Sequence, residues 1–346
     1  MTHCSTPAPG STAELDELIS RPDDRVLAAL RNAPGDCMVI GAGGKMGFHV
    51  CRMLQRGFAA IGRGQRVFAV SRFRDAAARR VFDDAGIEVI ACDAGEPQQL
   101  ARLPDVGHLF FLAGVKFGTS DNPQLLQRLN VELPQRVAER FRDATIVALS
   151  TGCVYAMTTP ASGGSREDSP TDPPGDYARS CLGREQAFCS ASRENGTRCT
   201  LIRLNYSIDL HYGVLVDIAQ AILRGEPVHV ETGYVNVIWQ GDAVSHIIQS
   251  LGLAAAPPAI LNVTGSEVLS VRALAQKIAA RLDRPLQIAG EESSTAWLSN
   301  AGRAHELFGA PRVSLDQMID WTCNWLLAGR PTWNKPTHFE ARSGDF

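Results

Sequence analysis

The 346-residue sequence predicts an α/β fold, a doubly wound parallel sheet with a smaller C-terminal lobe. Three observations predict it. A strand, a glycine turn, a helix and a second strand follow one another within about 35 residues from Cys37, which is one βαβ unit. The strands are apolar without alternation, the pattern of strands buried on both faces of a parallel sheet. The alternation of strand and helix then continues to about residue 205, which puts helices on both faces of the sheet.

Taken in order, residues 1–10 form a loose tail, and Ser11 to Glu14 reads as a capping box opening a short helix through Leu15, Leu18 and Ile19. This lead-in, residues 1–35, reads as an appendage. The first unit is CMVIGAGG, KMGFHVCRMLQRGF and RVFAVSR. A helix over 75–85, strands over 87–92 and 108–114, a helix over 122–142 and a strand over 145–150 continue the alternation. The stretch TTPASGGSREDSPTDPPG is too rich in Pro, Gly, Ser and Asp for helix or central strand and reads as a surface loop. A helix resumes at 176 or 177 and runs to about 193, followed by strand CTLIRLN over 199–205. Shorter elements complete the chain, among them an amphipathic helix over 269–283 and another around Leu315 to Trp325, with Trp321 and Trp325 packing at helical spacing.

Composition excludes several classes of function. Hydrophobic residues at 45% and charged residues at 21% describe a globular chain. A formal charge of −3 with no block of like charges leaves no footprint for nucleic acid or anionic lipid. Nine cysteines, an odd number with no C-x-x-C pair, argue against a disulfide framework and a zinc site and suit a reducing cytoplasm. No signal-peptide core and no apolar run of about 18 residues is present, so neither export nor a membrane span is expected. His211, His229 and His246 lack ligand spacing and read as surface or capped residues, so no metal is expected; Asp242 reads as a helix N-cap.

The first chemical signal is Gly41-Ala-Gly43-Gly44-Lys45-Met46-Gly47, which directly follows a strand and opens a helix. Glycines at 41, 44 and 47 allow a tight turn and a close backbone approach to a pyrophosphate, and the helix start attracts the anion. The second strand ends at Ser71-Arg72 where an NAD-preferring site places an acidic residue, so Arg72 favours NADP over NAD by pairing with a 2′-phosphate. A solvated arginine at a helix start is the plainer reading. Asp93 suits either an adenine amine or an Asx turn.

With these residues the chain resembles the NAD-dependent epimerase/dehydratase family, the extended short-chain dehydrogenases/reductases. The resemblance covers about residues 37–330 and rests on VIGAGGKMG, FLAGVK, LSTGCVY, DYARSCLGREQAF, IRLNYS, VNVIWQGDAVSHI and LNVTGSEVLSVRALA. It implies a Rossmann fold, divided as a dinucleotide-binding domain over 36–205, a mostly substrate-binding lobe with sheet-completing elements over 206–330, and a tail over 331–346. It implies that Thr151 holds a substrate hydroxyl and Tyr177 is the acid/base, with Gly152, Cys153 and Asn205 beside the substrate. Ala113, Gly114 and Lys116 then lie near the nicotinamide and pyrophosphate. Asn130 matches an asparagine that supports a water path beside the active site, or is a solvated helix residue. Family members pair as dimers through the helices that correspond to 122–142 and 177–193, and the family favours nucleotide sugars.

The physical case for Tyr177 stands beside the name: hydride transfer from a carbinol requires loss of the hydroxyl proton, and a phenolate is basic enough to take it. The chain departs from the family four residues later, where lysine is replaced by Cys181. A thiol neither grips a ribose nor supplies charge, and losing a lysine's effect costs about 3 to 4 kcal/mol in base availability. Lys116, the positive charge of an oxidised nicotinamide, or Cys181 itself as a reactive thiol could compensate. Arg184, two turns along the helix, is expected at the surface. The sequence thus points to an NADP- or NAD-dependent enzyme acting on a secondary alcohol of a polyhydroxylated substrate, as a dehydrogenase, epimerase or dehydratase. Few basic residues stand in the second half to hold a diphosphate, which keeps a free sugar, sugar acid or lactone open. The alternatives are a catalytically weak dinucleotide-binding sensor or scaffold, and an isomerase or lyase using Cys181.

Overall fold

The computed structural model describes residues 7–115 and 123–344. Two short helices come first, α1 (Thr12–Ile19) and α2 (Asp24–Arg31). Ser11 caps α1 by accepting the Glu14 N–H, as its Ser-x-x-Glu pattern requires. Asp23 caps α2, which the sequence reading did not single out. The alternation then runs β1 (Cys37–Ile40), α3 (Gly47–Ala60), β2 (Val67–Ser71), α4 (Ala76–Asp84), β3 (Glu88–Ala91), α5 (Pro97–Ala101), β4 (His108–Phe111), α6 (Pro123–Leu126), α7 (Leu133–Arg140), β5 (Thr145–Thr151), α8 (Gly175–Asn195) and β6 (Cys199–Leu204).

The single helix expected over 122–142 is instead interrupted between α6 and α7, where Gln127–Glu132 form a π-helical turn. Pro134 is the cause the sequence supplies, since it cannot donate to the carbonyl four residues back and its ring crowds that turn. Beyond β6 the elements shorten to β7 (Ser207–Ile208), α9 (Val214–Arg224), β8 (Val228–His229), β9 (Tyr234–Val235) and β10 (Ile238–Trp239). They end with α10 (Gln240–Gln249), β11 (Ala259–Val263), β12 (Leu269–Ser270), α11 (Val271–Leu282), β13 (Ile288–Ala289), α12 (Gly302–Phe308) and α13 (Leu315–Leu327).

Seven parallel strands form the main sheet in the order β11-β6-β5-β4-β1-β2-β3. The chain reverses direction across the sheet between β1 and β4, whose residues Ile40 and Phe111 are paired. Ligands of open α/β sheets bind outside the carboxyl ends of the strands at such a reversal. Successive residues of each strand are buried on opposite faces, Val39, Ala69 and Phe110 against α3 and α10, and Met38, Phe68 and Leu109 against α7 and α8. A second core gathers Leu215, Trp239, Leu274, Trp321 and Trp325.

Leu15 and Ile19 lie in that second core, as does Phe339 of the tail. The lead-in is therefore no appendage: its amphipathic face completes a buried cluster. His246 is a second correction. It is buried against His305 and Phe308, with ring centres 6.1 and 5.6 Å away, and burial pushes its pKa down to about 4. Asp242 does not cap α10 but accepts the Arg312 and Val313 backbone N–H groups and pairs with the Arg312 guanidinium. Among the described residues no helix is long and apolar enough to cross a membrane.

Candidate active site

The turn from β1 to α3 has the geometry its glycines dictate. Gly41 has φ +90°, and a Cβ there would lie 2.5 Å from the Ala113 nitrogen, so β1 and the segment after β4 meet backbone to backbone. At Gly47 a Cβ would fall 2.1 Å from the Ala42 carbonyl oxygen, and at Gly43 it would fall 2.8 Å from Ser71 Oγ. Gly44 closes the turn by donating to the Gly41 carbonyl at 3.0 Å. No side chain caps α3. The N–H groups of Gly43, Met46, Phe48 and His49 find no acceptor among the described residues. Open donors at a helix start, with no side chain in the way, suit a diphosphate. Arg72 is exposed beside this turn, while Asp93 accepts the Gly95 N–H at 3.0 Å in an Asx turn.

A cleft of about 330 Å³ joins this turn to the ends of the neighbouring strands. Gly41, Gly44, Lys45, Met46 and Gly47 line one wall, and Thr151, Cys153, Tyr177 and Asn205 line the other. Gly43, Ser71, Arg72, Asp93, Ala113, Gly114, Gly152 and Cys181 lie off these walls. Lys116 lies outside the described residues. Thr151 ends β5 and accepts the Cys153 N–H at 3.2 Å. A Cβ on Gly152 would sit 2.8 Å from Ser299 Oγ and 3.2 Å from the Asn205 Cβ, and the Asn205 amide donates to the Trp297 carbonyl at 3.0 Å.

Tyr177 stands in the first turn of α8 and lines the cleft. Its ring packs against a cluster that holds Cys181, a thiol fully buried beside Val154, Tyr155 and Leu182. Burial pushes the phenol well above its usual value, and the Cys181 and Cys153 thiols push the same way, while the Arg184 guanidinium pulls against them. Burial likewise raises the Cys181 thiol.

Arg184 corrects the sequence expectation: it is buried, not at the surface. Residues 177, 181, 184 and 188 share one face of α8, so the face that carries Tyr177 and Phe188 inward carries Arg184 with it. Its guanidinium donates to the Leu149 carbonyl at 2.7 Å and to Asn130 Oδ1 at 2.9 Å. Asn130, buried in the π-helical turn, also accepts the Val115 N–H and donates to the Val115 carbonyl, both at 3.0 Å, and to Ser180 Oγ at 2.8 Å. Gly114 is required beside this pair, because a Cβ there would lie 2.2 Å from an Arg184 nitrogen. Glu185, next along α8, pairs with Arg203 at 2.7 Å and accepts the Ser150 hydroxyl at 2.6 Å, both inside the protein.

Several lining residues escaped the sequence reading. Tyr206, Ser207, Tyr212, Val214 and Thr337 complete the cleft. Tyr206, at φ +38°, is a non-glycine residue in the left-handed region, the one local signal of a constrained turn. Lys45 reaches across from the glycine turn to donate to the Ser207 carbonyl at 2.6 Å, with its ammonium 4.5 Å from the Tyr212 ring centre. Trp333 packs on Tyr212 and His211, and Thr337 donates to Asp217 from both backbone and hydroxyl. Among the described residues no cluster of three or more His, Cys, Asp or Glu could hold a metal ion.

Residues 37–214 match the NAD dependent epimerase/dehydratase family. No curated protein matches the sequence. Among solved structures, a dTDP-glucose 4,6-dehydratase double mutant from Streptomyces venezuelae, with NAD bound, is similar at 20% identity over 84% of this chain and 96% of that chain, with a TM-score of 0.72. A UDP-glucuronic acid 4-epimerase from Bacillus cereus, in complex with UDP-glucuronic acid and NAD, is similar at 16% identity over 84% and 99%, with a TM-score of 0.69. A UDP-glucose 4-epimerase from Thermus thermophilus in complex with NAD is similar at 17% identity over 84% and 98%, with a TM-score of 0.68. At such identities these structures speak for a shared fold.

Proposed function

The chain belongs to the NAD-dependent epimerase/dehydratase family, and from that premise we propose that it exchanges hydride between a nicotinamide dinucleotide and a secondary alcohol carbon of a sugar-like substrate. The observation that carries this reading is the cleft that joins the glycine turn to Thr151, Tyr177 and Asn205. Gly41, Gly43, Gly44, Met46 and Gly47 would hold the pyrophosphate through backbone N–H groups, with Ser71 and Arg72 at the adenosine ribose and Ala113 and Gly114 nearer the nicotinamide. Reversible hydride exchange with carbon is the chemistry such a group supplies when bound. Tyr177 would take and return the proton of the substrate hydroxyl, and the Thr151 hydroxyl would orient that oxygen. The exposed guanidinium of Arg72 supports NADP over NAD. Dehydratase and epimerase neighbours of nucleotide sugars support a carbohydrate substrate. Among the described residues Lys45 is the one cation lining the cleft and it already holds Ser207, which favours a substrate without a diphosphate. A homodimer paired through the 122–142 and 177–193 helices is part of the same proposal.

Calorimetric titration with NAD, NADP and their reduced forms, followed by a screen of sugars, sugar acids and nucleotide sugars for hydride transfer, tests this reading. The expected outcome is micromolar binding of one form and turnover that falls by about a thousandfold in Tyr177→Phe with dinucleotide affinity unchanged. Absence of binding to every form overturns it, and binding without turnover of any alcohol favours a dinucleotide sensor in its place.

A further inference from the structure

Arg184 keeps a charge where a charge is costly. It is buried, its guanidinium donates to the Leu149 carbonyl at 2.7 Å and to Asn130 Oδ1 at 2.9 Å, and the Phe111 ring centre lies 5.7 Å away. Its Nε has no partner. No carboxylate pairs with it among the described residues, since the neighbouring Glu185 gives its oxygens to Arg203 and Ser150. A buried ion without a counter-ion costs stability relative to a neutral side chain of similar size, so packing does not account for an arginine here. What the guanidinium holds in place does.

Both acceptors lead to the cleft. Leu149 lines it, two residues before Thr151 on β5. The Asn130 amide is fully used: Oδ1 accepts the Arg184 guanidinium and the Val115 N–H, while Nδ2 donates to the Val115 carbonyl and to Ser180 Oγ. Val115 is thus gripped by both its backbone groups, as a partner strand would grip it. It ends the segment that leaves β4, and that segment lies on the glycine turn. Leu112, which lines the cleft, donates to the Ile40 carbonyl at 2.8 Å, and a Cβ on Gly41 would fall 2.5 Å from the Ala113 nitrogen. Between them Gly114 leaves the guanidinium its space, since a Cβ there would lie 2.2 Å from an Arg184 nitrogen and 3.0 Å from Asn130 Oδ1.

We infer that Arg184 is a positioning residue for the dinucleotide side of the cleft. By bonding Asn130 and the Leu149 carbonyl together, it holds the exit of β4 against the glycine turn and ties it to the exit of β5. A planar fork of several donors reaches two acceptors at once, which a neutral side chain of the same reach does not. The cation gives up stability and supplies geometry. That a dinucleotide uses this wall rests on the hydride-transfer reading; that Arg184 holds the wall does not.

The wall and its use are measured separately in the full-length protein, the wall by amide hydrogen exchange at Val115 and its use by calorimetry with NAD and NADP. In Arg184→Met the Val115 N–H is expected to exchange about tenfold faster or more. Dinucleotide affinity is expected to fall by about tenfold, while the urea midpoint stays close to that of the wild type because an uncompensated ion has been removed. A residue that served stability alone would move the midpoint and not the affinity. Arg184→Lys, which keeps a cation with several donors, is expected to recover part of both losses. Arg184→Gln takes the place of the methionine variant if that protein does not fold, with the same changes expected. Unchanged Val115 exchange in a folded variant overturns the inference, and so does faster exchange with dinucleotide affinity unchanged. Wild-type protein that binds no dinucleotide sinks the functional reading instead, and Val115 exchange then decides alone whether Arg184 holds the wall.

Discussion

The two walls of the cleft are built in opposite ways. One wall comes from a single turn, Gly41 and Gly44 to Gly47, whose shape is set by what a Cβ would strike at 41, 43 and 47. The other adds to Thr151, Cys153 and Tyr177 the segments from Asn205 to Ile208 and from Tyr212 to Val214 and the residue Thr337, which a hydrophobic cluster drawing on Leu15 at one end and Phe339 at the other holds in place. A wall made by local backbone sterics tolerates change elsewhere in the molecule. A wall assembled from remote segments depends on every member of the core that gathers them.

That contrast can be broken from either side. The largest effect is expected for Phe339→Ala, which removes a buried ring from the second core and should cost about 3 to 5 kcal/mol in urea denaturation. Dinucleotide affinity of the protein that stays folded should not change, and an equal loss of affinity would show that the two walls are one unit. Gly47→Ala strikes the other side. Its Cβ would lie 2.1 Å from the Ala42 carbonyl oxygen, and the turn must shift at a cost of about 1 to 3 kcal/mol, read as a matching loss of dinucleotide affinity by calorimetry. Arg72→Ala is the finest probe. Stability should stay within about 0.5 kcal/mol, while NADP affinity falls and NAD affinity holds; an equal response of the two cofactors would remove Arg72 from cofactor choice.

The same contrast explains what the sequence made legible. The apolar runs of β1, β4 and β5, the glycine turn and the Ser11 cap each state their structure within a few residues, because each is decided by contacts close in the chain. Thr151, Tyr177 and Asn205 could be placed at one site through the family resemblance, which the position of Thr151 at the carboxyl end of a parallel strand supports. Arg184 could not be placed. A charged residue two turns beyond a tyrosine reads as solvated, and the Leu149 carbonyl and the buried Asn130, both far earlier in the chain, give its guanidinium somewhere to go. The inward stripe of 177, 181, 184 and 188 was the available signal, and charge outweighed it. Nor could Tyr212 or Thr337 be read, since nothing near them in sequence reports the cluster that brings them to the cleft.

The second core also sets an order of events for the folding chain. Leu15 and Phe339 lie more than three hundred residues apart in sequence yet pack in one cluster, and contacts of such separation are the slowest to form because the intervening chain must be closed first. The βαβ unit around Gly41 draws on nearer contacts, its glycine turn reaching only to Ala113, about seventy residues on. The expected order is therefore that the glycine turn is in place before Tyr212 and Thr337 arrive to finish the opposite wall. Dinucleotide would then meet a half-built cleft and, by binding it, could hold the sheet steady while the distant segments close over the rest.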